Sequence, residues 1–315
     1  MINENQVLHI TNGDSLSSRM QDFNISGEIL TWREMLCEGP TTYEIGSPDF
    51  IEKRDAFLRT YYDVPEQHYK KMFIQELEKL DASKTYSAII LWFEYDIFCH
   101  INMIAAISYI QAKNRKEPIY LVCSGRVAGE KSLMGLAELN DKQFLTHYNE
   151  RVQLTTSDLS LANALWEFYC GTDHNKLKPT LAEHSSFRYL SNCLGAHRER
   201  FPDTNTGLNT LEVNILKLIE SKHITTKNQL CGYALGHQGY YGYGDSQIYR
   251  MIDRLQVFYT DETVPFTLNE AGQQVLTGKI EPKDRIKKQD DVYFGGVQKY
   301  KYTYDPENRN LILAI

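Results

Sequence analysis

Four short apolar stretches in the first half of the chain each end in a polar or acidic cluster. Their lengths of four to six residues and their content of Val, Ile, Leu and Thr are typical of buried β-strands. Stretches of helical length separate them, and this alternation predicts parallel strands joined by right-handed crossovers. The carboxyl ends of such strands meet at one edge of an open sheet, where ligands bind. The strands are predicted at residues 7–11, 28–31, 87–92 and 119–123, and the polar clusters at residues 12–15, 32–34, 94–96 and 124–126.

The remainder of the chain predicts a helical segment followed by a small α+β domain. A turn-rich stretch at 201–207 marks the favoured boundary between them. Beyond it, three short amphipathic helices and then strand-like segments follow the order of a winged helix. We therefore expect an α/β fold in three parts. These are an open, Rossmann-like, mostly parallel sheet over 1–139, a helical middle segment over 140–203 packed on it, and a winged-helix-like α+β domain over 204–315.

The composition is that of a folded globular protein. The 315 residues are 42% apolar and 24% charged, and a chain of this length commonly divides into two domains. No apolar run reaches the ~18 residues of a membrane span, and the start of the chain lacks the apolar core of a signal peptide. We therefore expect a cytosolic protein that contacts no membrane. The six cysteines lie far apart without zinc-type spacing, which predicts reduced, mostly buried thiols.

The charge balance argues against a general nucleic-acid-binding protein. The formal net charge is −7, whereas such proteins cluster Lys and Arg against phosphates. Residues 204–315 carry 13 basic and 13 acidic side chains, so the whole negative excess lies in residues 1–203. Nucleic acid therefore stays a candidate partner only for the last third of the chain, where a partner protein is the favoured alternative.

The first polar cluster lies where a strand is followed by a helix. Asn12, Gly13 and Ser15 would present backbone N–H groups and the positive end of a helix dipole to an anion. Asp14 opposes bare phosphate unless a metal ion or a ribose hydroxyl intervenes. In the alternative interpretation, Asp14 or Ser15 only caps the helix. The tetrapeptide at 13–16 also matches the nucleophile block of the Gly-Asp-Ser-Leu esterases, but the histidine block of those enzymes is absent from its usual place.

The second cluster combines two acids with an indole and a guanidinium. Glu34 and Glu38 are four residues apart and accompany Trp32 and Arg33. In a crevice, the two acids would hold a cation or act as a proton-transfer pair. The alternative is a surface turn in which Arg33 pairs with a neighbouring acid.

The third and fourth clusters add two acids and a cation. Glu94 and Asp96 flank one residue after the third strand, so in an extended chain they point the same way. With the preceding acids they predict a carboxylate-rich pocket that binds a divalent metal or a cationic substrate, or in which one acid has a raised pKa. Arg126, after the fourth strand, is expected to hold a phosphate or a carboxylate.

Two sequence blocks resemble the opening of a bacterial protein family. The stretch 9–15, His-Ile-Thr-Asn-Gly-Asp-Ser, and the stretch 27–40, Gly-Glu-Ile-Leu-Thr-Trp-Arg-Glu-Met-Leu-Cys-Glu-Gly-Pro, are similar to the first blocks of the domain of unknown function 1835 family. Residues 92–96 and looser matches at 197–202 and 295–297 extend the resemblance over most of the chain. The family carries no agreed activity, so the resemblance implies the architecture and the residues of interest without a mechanism.

Two functional hypotheses follow. The first is an enzyme, a hydrolase or transferase, that acts on a small phosphorylated or nucleotide-like molecule at the carboxyl-end crevice of the sheet. Its cofactor is left open, with a divalent metal as one alternative. The second is a ligand-sensing regulator whose last domain binds nucleic acid or a protein. The enzyme hypothesis assigns catalysis to Asp14, Glu34, Glu38, Glu94 and Asp96, and ligand binding to Asn12, Gly13, Ser15, Trp32, Arg33 and Arg126.

Overall fold

In the computed structural model, a mostly parallel sheet of five strands lies at the centre of the first half of the chain. The four apolar stretches form its four parallel strands, and a short antiparallel strand completes it. The strands of this half are β1 (Val7–Thr11), β2 (Glu28–Thr31), β3 (Gly39–Pro40), β4 (Ala88–Phe93), β5 (Ile119–Cys123) and β6 (Val152–Gln153), of which all but β3 belong to the sheet. The structure describes residues 2–80, 83–262, 264–282, 285–286 and 292–314.

The strand order β2-β1-β4-β5-β6 reverses between β1 and β4. The strand β1 pairs in parallel with β2 on one side and β4 on the other, and Thr11 is in register with both Thr31 and Trp92. In an open sheet such a reversal creates a crevice outside the carboxyl ends of the two strands. The residues that follow β1 and β4 therefore border this crevice.

The helices of the first half include one that is buried on every side. Every residue of α4 (Ile97–Ala112) from Cys99 to Ile110 is buried, as expected for a helix that is apolar all round. Asp96 caps this helix by accepting the Cys99 N–H at 2.8 Å. The other helices are α1 (Asp14–Asp22), α2 (Pro48–Tyr62), α3 (Gln75–Leu77), α5 (Asp141–Asn149) and α6 (Thr156–Cys170), and the turns on either side of α3, Lys70–Ile74 and Glu78–Leu80, are π-helical and 3-10 helical.

The chain divides into two compact units. The first is Met1–Cys193 with Phe294–Gly296, and the second is Leu194–Tyr293 with Val297–Ile315. The helical middle segment up to Cys193 therefore lies in the same unit as the sheet. The division falls within α7 (Leu190–Arg198), a few residues before the predicted turn-rich boundary.

The second unit begins with three helices and continues into short strands, which is the predicted winged-helix-like order. A buried ion pair between Glu212 and Lys299, with Nζ and Oε1 2.5 Å apart, joins the first of these helices to the later part of the unit. The elements of the second unit are α8 (Thr210–Ser221), α9 (Lys227–Gly236), α10 (Asp245–Leu255), β7 (Tyr259–Thr260), β8 (Thr267–Leu268), α11 (Glu270–Leu276), β10 (Val297–Gln298), β11 (Tyr302–Asp305) and β12 (Asn310–Leu313). The strand β9 (Tyr293–Gly295) precedes β10 along the chain, and its last two residues belong to the first unit. Within the described residues, no helix is both long and apolar enough to cross a membrane.

Candidate functional site

A pocket of about 390 Å³ lies at the carboxyl edge of the sheet, beside the ends of β1 and β2. Its walls come from the two predicted clusters that follow these strands and from the helical segments around α2, α3 and α4. Asn12, Gly13, Asp14, Trp32, Arg33 and Glu34 all line it. The pocket thus brings these residues together as the strand alignment predicts, and we call it the crevice.

Asp14 and Arg33, which both line the crevice, form a bidentate ion pair with each other. Arg33 Nε and Nη2 donate to the Asp14 carboxylate at 2.8–3.0 Å, and Nη1 donates to the Met72 carbonyl at 3.0 Å. The hydrogen bonds and charge of Asp14 raise the pKa of Arg33 above its ordinary value. Asp14 therefore adds no uncompensated negative charge to the crevice.

The first turn of α1 offers backbone donors beside the crevice, which Gly13 and Asp14 line. Gly13 precedes this helix with φ of +96°, a conformation that glycine adopts without strain, and no side chain of the described residues caps the turn. The N–H groups of a helix start and the helix dipole both favour an anion. Ser15 lies in this turn with an exposed side chain and is not among the lining residues.

Aromatic side chains form the opposite wall. Trp32 and Phe73 meet edge to face with ring centroids 5.0 Å apart, and Tyr69 and Phe73 are 5.6 Å apart. Phe98, at the start of α4, is half-buried and also lines the crevice. The Trp32 indole is fully buried, and its Nε1 donor has no hydrogen-bond partner among the described residues. A buried donor without an acceptor is costly to the folded state.

Glu34 is held by a buried guanidinium. Arg54 Nε and Nη2 donate to its two carboxylate oxygens at 2.8 and 2.7 Å, and both side chains are 0% exposed. The Tyr69 hydroxyl donates to Oε1 at 2.7 Å and the Met35 N–H to Oε2 at 2.7 Å. Burial disfavours the charged guanidinium, but the charge and hydrogen bonds of Glu34 together raise the pKa of Arg54 above its ordinary value. Both oxygens of Glu34 are therefore already engaged within the protein.

Glu38 lies behind the crevice wall rather than in it. Its side chain is buried and accepts a hydrogen bond from the Tyr62 hydroxyl, and its carbonyl accepts one from Arg54 Nη1 at 2.8 Å. It is not among the crevice-lining residues. The same guanidinium thus fixes the loop that carries both Glu34 and Glu38.

Glu94 and Asp96 form a second acidic cluster together with Cys99, with ligand atoms within 4.8 Å of one another. Burial, and then the charge of Asp96, raise the pKa of Glu94 to about 7. Burial raises the pKa of Asp96 to about 6, and burial raises the pKa of the Cys99 thiol well above its ordinary value. Carboxyl groups that titrate near neutral pH can both donate and accept protons.

This cluster offers few ligand atoms for a metal ion. Asp96 Oδ1 already accepts the Cys99 N–H at 2.8 Å, and Glu94 Oε1 accepts the Ala137 N–H at 3.4 Å. Magnesium and calcium require six or more oxygen ligands, and a thiol is a ligand of softer ions such as zinc. The cluster therefore fits proton transfer better than it fits a magnesium or calcium site.

A chain of asparagine contacts joins the cluster to the crevice. Asn12, which lines the crevice, donates from Nδ2 to Cys99 Sγ at 3.0 Å. Asn102 donates to Asn12 Oδ1 at 2.8 Å and to the Glu34 carbonyl at 2.5 Å, and accepts the Leu36 N–H at 3.1 Å. The ends of β1, β2 and β4 are thus held in one network.

Arg126 does not join the other predicted residues. It lines a different pocket, of about 670 Å³, beside β5 and β6. Its side chain therefore lies away from the crevice in which the sequence places it. His100, one helical turn beyond Asp96, is buried with Nδ1 against the Asp96 carbonyl at 2.9 Å, and burial lowers its pKa to about 4.

Sequence reasoning missed Arg54, Tyr69, Cys99 and Asn102. For Arg54 a signal exists, because it shares the buried face of α2 with Phe50, Phe57 and Leu58, and a cation on such a face requires an anionic partner. Cys99 and Asn102 lie within α4, whose apolar sequence predicts only a buried helix of the core. No pattern along the chain distinguishes their polar contacts from simple burial.

Comparisons with known proteins identify no family. No protein-family model and no curated protein matches the chain. Among solved structures, it is similar to the crystal structure of the Plasmodium falciparum topoisomerase II DNA-binding, cleavage and re-ligation domain, at 12% identity and a TM-score of 0.44. The match covers 81% of this chain and 42% of that chain, so this chain spans less than half of that structure. A similarity of this size supports no statement about function.

Proposed function

We propose that the protein is an enzyme, a hydrolase or transferase, that acts on a small nucleotide-like molecule bound in the crevice. The observation that carries the proposal is the composition of that pocket. One side is an uncapped helix start and the other is an aromatic wall, at the strand ends where open α/β sheets bind ligands. Such a pocket suits a molecule with an anionic end and a flat apolar end.

The first turn of α1 supplies the donors for the anionic end. Its backbone N–H groups have no side-chain cap, and Gly13 leaves open space above them, since a Cβ there would meet nothing within 4 Å. The ion pair with Arg33 removes the objection that Asp14 would repel a phosphate. An Asp14 oxygen is also a natural acceptor for a ribose hydroxyl, as carboxylates at the ends of such strands are in dinucleotide-binding folds.

The aromatic wall supplies the contact for the flat end. Phe98, which is half-buried, presents a ring on which a heterocyclic base can stack, whereas Trp32 and Phe73 are 0% exposed and belong to the buried part of the wall.

Proton transfer is assigned to Glu94 and Asp96. With a pKa of about 7, Glu94 is partly protonated at neutral pH and can give a proton to a leaving group or take one from a nucleophile. Asn12, which lines the crevice, contacts Cys99 of the same cluster, whereas Glu94 and Asp96 themselves are not among the crevice-lining residues. In this proposal Glu34 and Glu38 position the loop and take no part in the chemistry, because Arg54, Tyr69 and Tyr62 hold them.

Isothermal titration calorimetry with the four nucleoside monophosphates tests binding. Base stacking is worth about 1–3 kcal/mol, so Phe98→Ala should weaken binding by roughly tenfold or more. Phe168→Ala is the matched control, since Phe168 is also half-buried in the first unit but does not line the crevice. Adenosine and ribose 5-phosphate, titrated separately, divide the affinity between base and phosphate. Absence of binding at millimolar nucleotide, or equal weakening by the control, contradicts the proposal.

Turnover is tested by ³¹P NMR on the nucleotide that binds, alone and with candidate phosphoryl acceptors. Glu94→Gln should bind the nucleotide with unchanged affinity and lose its conversion. Conversion by this variant at the wild-type rate would remove Glu94 from the mechanism while leaving the binding proposal intact.

The regulator remains the second hypothesis, supported by the helix order of α8 to α10. Two observations weaken its nucleic-acid form. Arg254 of α10 is 8% exposed, and Lys227 of α9 is paired with Asp253. The described part of these helices thus offers few cations to a phosphate backbone.

A further inference from the structure

The second pocket of the first unit carries a concentration of positive charge. It has a volume of about 670 Å³ and lies where β5 ends and beside β6. Arg126, Lys142 and Arg188 line it together with His147, and among the described residues Glu150 is its one acidic lining residue. In a chain whose net charge is −7, this local excess of cations requires an explanation.

The three cations have no acidic partner in the part of the chain that the structure describes. None of them takes part in a salt bridge there, and Arg188 instead lies over the Tyr189 ring with its guanidinium carbon 5.6 Å from the centroid. Their side chains are exposed, so solvent reaches them. Three cations that line one pocket with Glu150 as its acidic residue leave a net positive charge, and an anion bound among them relieves their mutual repulsion.

The surrounding contacts hold the pocket in shape. The Tyr189 hydroxyl accepts the Arg126 N–H at 2.6 Å, which ties the loop after β5 to the segment that carries Arg188. On α5, His147 Nδ1 hydrogen-bonds the Gln143 carbonyl at 2.7 Å, so Nε2 is the ring nitrogen left for a ligand. The cations therefore stand on three separate segments with fixed anchor points.

We infer that this pocket, which we call the cationic pocket, binds a small molecule through a phosphate or diphosphate group, separately from the crevice. Arginine forks match phosphate oxygens in pairs, and Lys142 adds a point charge. The inference does not depend on the function proposed for the crevice. It gives Arg126 the anion-binding role that its residue type predicts, at a different place.

Calorimetric titration with inorganic pyrophosphate in low salt tests the inference. Wild-type protein should bind it, and each added increment of salt should weaken the binding. Arg126→Gln and Arg188→Gln should each reduce the affinity about tenfold, the effect expected for a lost charge-assisted hydrogen bond. Lys53→Gln is the control, because Lys53 is an exposed cation already paired with Asp49.

Glu150→Gln provides a test that a folding defect cannot imitate. Removing the one acidic lining residue should tighten pyrophosphate binding by several fold. Phe98→Ala, which alters the crevice, should leave this binding unchanged. The inference is overturned by absence of binding in low salt, by binding that Arg126→Gln and Arg188→Gln do not weaken, or by binding that Phe98→Ala abolishes.

Discussion

The buried ion pair of Glu34 and Arg54 allows a structural role of Glu34 to be separated from a catalytic one. In Glu34→Gln, the Arg54 guanidinium stays buried and loses the charge that compensates it. Removing one partner of a buried pair costs about 3–5 kcal/mol, which for a unit of roughly 200 residues corresponds to a fall in Tm of about 6–20 °C. The value belongs in the upper part of this range, because the Tyr69 hydroxyl also loses its carboxylate acceptor.

Urea and thermal unfolding of three variants measure this cost. The free energy of unfolding of Glu34→Gln should be lower than that of wild type by the amount above. The double variant Glu34→Gln with Arg54→Met should recover much of this loss, since no buried charge is then left uncompensated. Glu44→Gln, an exposed acid on the same loop, should stay within about 0.5 kcal/mol of wild type. If Glu34→Gln unfolds like wild type but the protein loses turnover, Glu34 is a reacting group and the assignment made above is wrong.

Three further outcomes are expected. Burial and Asp96 raise the pKa of Glu94 from 4.5 to about 7, so the folded protein retains a proton that the unfolded chain releases, and wild type loses stability as pH rises through this window. Urea unfolding at several pH values measures this effect. Between pH 4.5 and 7, the free energy of unfolding of Glu94→Gln should rise relative to that of wild type by up to ~3 kcal/mol. A difference that does not change with pH would contradict the raised pKa of Glu94. Gly135→Ala would place a Cβ 2.7 Å from Glu94 Oε1, and because that carboxyl can swing aside, stability should change by under ~1 kcal/mol while the Glu94 pKa, followed by ¹³C NMR titration, should fall. In an electrophoretic shift assay at low salt, where nonspecific binding is strongest, DNA should not be retained; retention would favour the regulator.

The sheet and its crevice were within reach of sequence reasoning because the evidence for them is local. Each parallel strand is a continuous apolar run, and the register of β1 with both neighbours follows once the runs are aligned side by side. That alignment is enough to bring Asp14, Arg33 and Glu34 to one pocket.

The hydrogen-bond and ion-pair partners of each acid could not be predicted from the sequence, because these partners lie far along the chain. Glu34 is held by Arg54, 20 residues away, and Asn12 meets Cys99, 87 residues away. Arg126 was misplaced for a geometric reason. The strand β5 lies two positions from β1 in the sheet, a lateral distance of about 10 Å, so sharing an edge does not mean sharing a pocket.

A crystal structure of the protein grown with AMP tests the central claim most directly. We predict density for the phosphate at the first turn of α1 and for the adenine ring against Phe98. Density for AMP against Arg126 and Arg188 alone, or none at a concentration well above the measured Kd, would contradict the assignment of the crevice as the substrate site.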